Sequence, residues 1–143
     1  MDWKKEAADK LKIYESKKGS MLRAGQEIQR LEQELCNIRA VRTDGSPVSG
    51  GTSRREDMII NNIALRQELH SAIEDTEKWL RIVDGALATL SPEERFILDR
   101  MYIHRHKGNV ERVCDELKIE KTSVYRRRDA ALRKFTISMY GSE

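Results

Sequence analysis

Cysteine is scarce in this chain. Only Cys36 and Cys114 occur, with no CxxC pair, so neither a disulfide framework nor a zinc ribbon is available. Both thiols lie in or beside apolar helical stripes, the usage expected in a reducing cytosol. Long apolar runs are also missing. No stretch approaches the roughly 20 residues that a bilayer-spanning helix needs. The opening Met1-Asp2-Trp3-Lys4-Lys5-Glu6 lacks the apolar core of a signal peptide. A soluble cytoplasmic protein with no membrane partner is therefore expected. One-sign charge is missing as well: 27 Lys and Arg against 24 Asp and Glu leave a formal net charge of +3, too little to name a partner from the whole molecule. Catalytic signatures are absent. Asp57, Glu68, Glu74, Asp75 and Glu77 are dispersed helix-surface acids with no accompanying catalytic His and no phosphate-binding glycine loop. No catalytic residue, no cofactor and no enzyme activity are expected. His104-Arg-His106 with Cys114 nearby invites a metal reading, but a second ligand pair is lacking. The better reading is a polar loop near phosphates, with no metal.

What the chain has is charge and narrow apolar stripes. A charged fraction of 36% against 38% hydrophobic suits exposed helices better than one thick core. The length of 143 residues suggests one or two small domains. Between Thr43 and Ser53 the run Thr-Asp-Gly-Ser-Pro-Val-Ser-Gly-Gly-Thr-Ser is rich in turn formers and reads as a flexible loop. Before it, Met21, Ala24, Ile28, Leu31, Leu35 and Ile38 alternate spacings of three and four, a heptad seam. After it, Ile59, Leu69, Ile73, Leu80, Val83, Leu87 and Leu90 follow a similar seam, interrupted by Asn62, Arg66 and Thr76. Each helix is expected to run for roughly 35 residues, about 50 Å. Neither can bury its stripe alone, so the two either fold back as an antiparallel hairpin or pair between chains. Leu31, Leu35, Ile73 and Leu80 are expected at buried contacts. Gly19 and Gly25 weaken the first helix by about 1 kcal/mol each relative to Ala, which suggests that Trp3 to Tyr14 is separately hinged. Trp3 and Trp79 read as anchors of this helical part.

The last third carries the chemistry. Ser91-Pro92-Glu93-Glu94 is a helix start with Pro at its first position and the elements of a capping box. Phe96, Ile97 and Met101 give that helix one apolar face. Gly108-Asn109 offers Asn109 as the next N-cap, and Val110, Val113, Cys114 and Leu117 form the stripe of a second short helix. Lys118-Ile119-Glu120 is then a three-residue turn. In the helix that follows, Val124, Ala131, Leu132 and Phe135 share one side, and Thr122, Arg126 and Arg133 the other. From Lys118 to Phe135 seven Lys or Arg stand against two acids, the electrostatic footprint of a phosphate-contacting surface. Two short helices, a tight turn, and cations with hydroxyls on the second helix are what major-groove entry needs.

At these residues the chain resembles region 4 of the bacterial sigma-70 family. The resemblance rests on Leu90-Ser-Pro-Glu-Glu-Arg95, on Val110-Glu-Arg-Val-Cys-Asp-Glu-Leu117, and on Val124 through Ala131-Leu132-Arg133-Lys134-Phe135. Glu120 stands where a Ser or Thr cap is usual, and Arg128 where an apolar residue usually packs inward. The wider arrangement is similar to phage-encoded transcription regulators of the ArpU and RinA type. The expected fold is all-α: a long, coiled-coil-like N-terminal helical hairpin for assembly (1–90, with the loop 43–53) and a region-4-like helix-turn-helix domain (91–143). The reading implies a sequence-specific DNA-binding regulator, a phage or prophage late-gene activator working in the host cytoplasm. Double-stranded DNA is its partner, and host RNA polymerase a second one through the sigma likeness. Homo-oligomers are expected, since one small module rarely supplies enough contact for specific binding. Base edges would meet Lys121, Thr122, Ser123, Tyr125 and Arg126; phosphates would meet Lys118, Arg127, Arg128, Arg133 and Lys134. Two rivals remain: a small terminase subunit recognising packaging sites, and an anti-sigma-like adaptor that meets polymerase without touching DNA.

Overall fold

Helix starts and stops follow from a few local devices. The computed structural model describes residues 1–41 and 51–143. Asp2 caps α1 (Trp3–Lys12) by accepting from the Lys5 N–H at 3.1 Å. The helix ends at Ile13, and α2 (Tyr14–Val41) follows at once. α3 (Gly51–Ala88), α4 (Pro92–Leu98), a π-helical turn (Asp99–Ile103), α5 (Asn109–Leu117) and α6 (Lys121–Tyr140) complete the order. Among the described residues there is no strand, so the all-α class holds. No helix among them is long and apolar enough to cross a membrane.

Two expectations about breaks change. The chain interrupts its first helical stretch at Ile13, while Gly19 and Gly25 both lie inside an unbroken α2. The i→i−4 ladder tolerates an isolated glycine at a cost of about 1 kcal/mol, which packing along the helix can offset. The expected loop 43–53 lies outside the described residues over 43–50, and its last three positions, 51–53, belong to α3.

The chain divides into two compact units, one made of Met1–Lys18 with Lys78–Glu143, the other of Gly19–Glu77. The boundary expected after residue 90 falls inside the first unit. The reason is the N-terminus. α1 packs against α6 and the π-turn, burying Ala7 and Leu11 completely. Trp3 stacks on Tyr140 with ring centroids 4.7 Å apart, and Lys10 Nζ lies 5.2 Å from the Tyr140 centroid. In the same unit the Tyr14 hydroxyl donates to Asp84 at 2.5 Å, and Lys17 Nζ lies 5.4 Å from the Trp79 ring. Partner numbers fall as residue numbers rise, so these ends of α2 and α3 run antiparallel within one chain. Burial pushes the Tyr14 phenol above its ordinary pKa, and Asp84 reinforces that shift.

In the unit Gly19–Glu77, Ile28, Leu31 and Leu35 are buried, whereas Met21, Ala24 and Ile38 are half-buried. On α3 the expected seam is shallower: Ile59, Leu69 and Ile73 are only half-buried, so Ile73 is not the buried contact its spacing suggests. Asn62, which the spacing reads as an interruption, is itself buried. Its amide nitrogen donates to the Leu31 carbonyl at 2.8 Å, and its oxygen accepts from Arg66 Nε at 2.8 Å. A buried amide with both ends satisfied ties two helices at one register.

Candidate nucleic-acid interface

α4, α5 and α6 share a small core. Ile97, Val113 and Val124 are 1%, 0% and 0% exposed, with Phe96, Met101, Val110, Cys114, Leu117 and Ile119 packed around them. Cys114 is thus a small packing group at the helix junction. The capping box forms as its sequence dictates: Ser91 Oγ accepts from the Glu94 N–H at 3.2 Å, and Glu94 Oε1 accepts from the Ser91 N–H at 2.9 Å. The start of α5 differs from expectation. Gly108 is the N-cap residue, at φ 82°, and Asn109 is the first helical residue. Asn109 instead secures the loop behind it, accepting from the His106 N–H at 2.9 Å and donating to the Arg100 carbonyl at 2.6 Å. Only glycine adopts the Gly108 conformation without strain.

The turn between α5 and α6 has the expected three residues. Lys118 closes α5 in the left-handed region at φ 54°, the only non-glycine residue at positive φ among those described. Glu120 precedes α6 without a side-chain cap, which leaves the amides of the first turn open. Val124, Ala131, Leu132, Phe135 and Thr136 then face inward. Thr136 satisfies its hydroxyl by donating to the Leu132 carbonyl at 2.7 Å.

The base-reading candidates divide by exposure. Lys121, Thr122 and Arg126 are exposed, while Ser123 and Tyr125 are half-buried and lie on the two flanks. Among the described residues neither Lys121 nor Arg126 has an ion-pair partner, and the same is true of Lys118. The remaining phosphate candidates are paired. Arg127 bonds to Glu93, and Lys134 Nζ lies 3.1 Å from Glu94. These two cations, one heptad apart, occupy the flank of α6 that meets α4. Arg133 Nε lies 2.5 Å from Glu143. Arg128 is half-buried, bonded to Asp129 and placed 5.0 Å over the Tyr125 ring. Sequence reasoning did not find the Glu93 and Glu94 pairings, because they join residues 34 and 40 positions apart and local spacing carries no such information.

His104 stands between two carboxylates. His104 Nδ1 lies 2.8 Å from Asp99, and its Nε2 lies 3.2 Å from Glu15, so this ring joins α2 to the π-turn and does not approach Cys114 as a ligand set. Among the described residues no group of three His, Cys, Asp or Glu could hold a metal ion. Burial pushes the Tyr102 phenol upward; Arg128 and Arg105 pull it back, and Asp129 adds to the rise.

Among the described residues, six α-helices and a π-turn, with a cation-bearing helix following a three-residue turn, define an all-α protein. A family described as "Protein of unknown function (DUF1492)" matches residues 38–136, about two thirds of the chain, and the protein belongs to that family. The match takes in α3 to α5 and most of α6, and leaves α1 and most of α2 outside. No curated protein and no solved structure matches the chain.

Proposed function

We propose that the protein is a non-enzymatic, sequence-specific binder of double-stranded DNA that regulates transcription. One observation carries the reading: after a short helix and a three-residue turn, α6 presents Lys121, Thr122 and Arg126 to solvent on its first two turns, with its opposite side locked into a core by Val124. A rigid helix with unengaged long cations and a hydroxyl at its start has the reach and donors for base edges and phosphates. Sigma region 4 uses helices in this order, and the phage-regulator likeness supplies the late-gene activator role and the polymerase partner. The buried seam residues are spent within the chain, so assembly would use exposed apolar residues of α2 and α3 such as Leu22, Ile60 and Leu65, and a second copy would supply the contact that one small module lacks.

The test is footprinting of the full-length protein on the DNA of the genome that encodes it, with its mass measured free and DNA-bound by light scattering. A protected site upstream of an operon supports the regulator. A site beside packaging genes makes it a terminase subunit. No protection at low salt, together with retention on RNA polymerase, overturns DNA binding in favour of the adaptor.

A further inference from the structure

A cavity of about 300 Å³ lies beside the exposed face of α6, between that helix and the loop after the π-turn. Arg105 and His106 come from the loop, Tyr125 and Arg128 from α6, and Gly108 and Glu111 from the start of α5. Arg128 is the informative member. The sigma-like pattern has an apolar residue at this position, and a guanidinium there must justify its desolvation. Its Nε and Nη2 spend two N–H groups on Asp129, at 3.1 and 2.9 Å. A guanidinium has five, so three remain, on a group held in place by the Tyr125 ring. Arg105 is exposed and has no ion pair among the described residues. Both guanidiniums line the same cavity. Against them stand two carboxylates, Glu111 at the cavity and Asp129 on Arg128, so the attraction for an anion comes from the free donors. The unpaired Arg105 fork and the three remaining N–H groups of Arg128 meet in a space with room for a phosphodiester. The start of α5, which has no side-chain cap, lies at the same cavity.

The geometry points to a dedicated anion cleft, formed by Arg105, His106 and Arg128, that grips one backbone phosphate of duplex DNA beside the reading face of α6. The assignment rests on the DNA-binding reading and extends it to a loop residue, Arg105, and to the meaning of Arg128. It also makes the grip one-sided. On the other flank of α6, Arg127 and Lys134 are occupied by Glu93 and Glu94, so the first phosphate anchor lies on the loop side.

The experiment uses the full chain and fluorescence anisotropy with a labelled duplex across a salt series. Arg105→Ala is expected to lower the log–log salt slope by about one unit and to weaken cognate and scrambled duplexes equally. Arg128→Gln is expected to do the same, and Arg128→Lys to restore part of the loss, with thermal melts confirming that each variant is folded. Wild-type slopes in folded Arg105→Ala and Arg128→Gln overturn the cleft and leave DNA binding standing. A second measurement covers failure of the DNA reading itself. Inorganic phosphate is titrated into ¹⁵N-labelled protein while the Arg105 and Arg128 Nε–H signals and the Gly108 to Glu111 amides are followed. If the wild type binds no duplex and these signals do not move, no cleft exists. If they move without duplex binding, the cleft serves free phosphate and the backbone assignment is wrong.

Discussion

Replacing Arg126 by Ala separates the two kinds of cation on α6. Arg126 is exposed and bonded to no acid among the described residues, so its removal leaves no orphaned partner and no cavity. The expected stability change is within about 0.5 kcal/mol. If the side chain is bidentate to a guanine, the loss at the cognate site is about 1–3 kcal/mol, roughly 5- to 150-fold in Kd. Lys134→Ala should behave otherwise. Lys134 lies 3.1 Å from Glu94; reaching a phosphate would require giving up that pair, and an exposed pair is worth only about 0.2–1 kcal/mol to stability. Its deletion should therefore move affinity less than Arg126→Ala and leave sequence discrimination untouched. Anisotropy titrations on cognate and scrambled duplexes, paired with thermal melts, measure both quantities. The reasoning is refuted if Arg126→Ala retains the wild-type cognate-to-scrambled ratio, or if Lys134→Ala costs as much affinity as Arg126→Ala.

Glu93→Gln should free Arg127 and steepen the salt dependence of duplex binding by up to about one unit; an unchanged or shallower slope would show that Arg127 does not reach DNA. Ile97→Ala empties the centre of the three-helix core and should cost about 2–5 kcal/mol in urea unfolding, with folded protein binding DNA normally. Ser91→Ala should cost about 0.5–2 kcal/mol. Partial burial raises the Glu94 carboxyl, but the Ser91 backbone N–H, Lys134 and the Ser91 side chain pull it lower overall, and only the last of these is lost in Ser91→Ala. A depressed pKa adds stability above the ordinary carboxylate range and loses it as pH falls through the folded-state value, so the gap between wild type and Ser91→Ala should narrow in acid. Lys118→Gly relieves a left-handed backbone that costs a side-chain-bearing residue about 1–2 kcal/mol, partly offset by glycine's unfolded-state entropy. It should raise stability by up to about 1 kcal/mol, and it should weaken duplex binding only if Lys118 meets phosphate.

The sequence alone determined whatever depends on neighbours within a few residues. The Ser91 capping box, the inward set Val124, Ala131, Leu132 and Phe135, the three-residue turn and the seam positions Leu31 and Leu35 were all legible, because caps and helical periodicity are local physics. Asn109 was misplaced by one residue, since a cap side chain can turn back to the loop as readily as forward to the helix, and only the position of the Arg100 carbonyl decides between them. Ile73 obeys the heptad and is still only half-buried, because periodicity gives a side chain's direction and not what stands opposite. The tertiary structure alone decided that α1 packs on α6 through Trp3 and Tyr140, that buried Asn62 ties α3 to Leu31, and that Glu93 and Glu94 take Arg127 and Lys134. Each of these joins residues tens of positions apart. Such contacts depend on which surfaces the folded chain brings together, and no local pattern of charge or hydropathy encodes that choice.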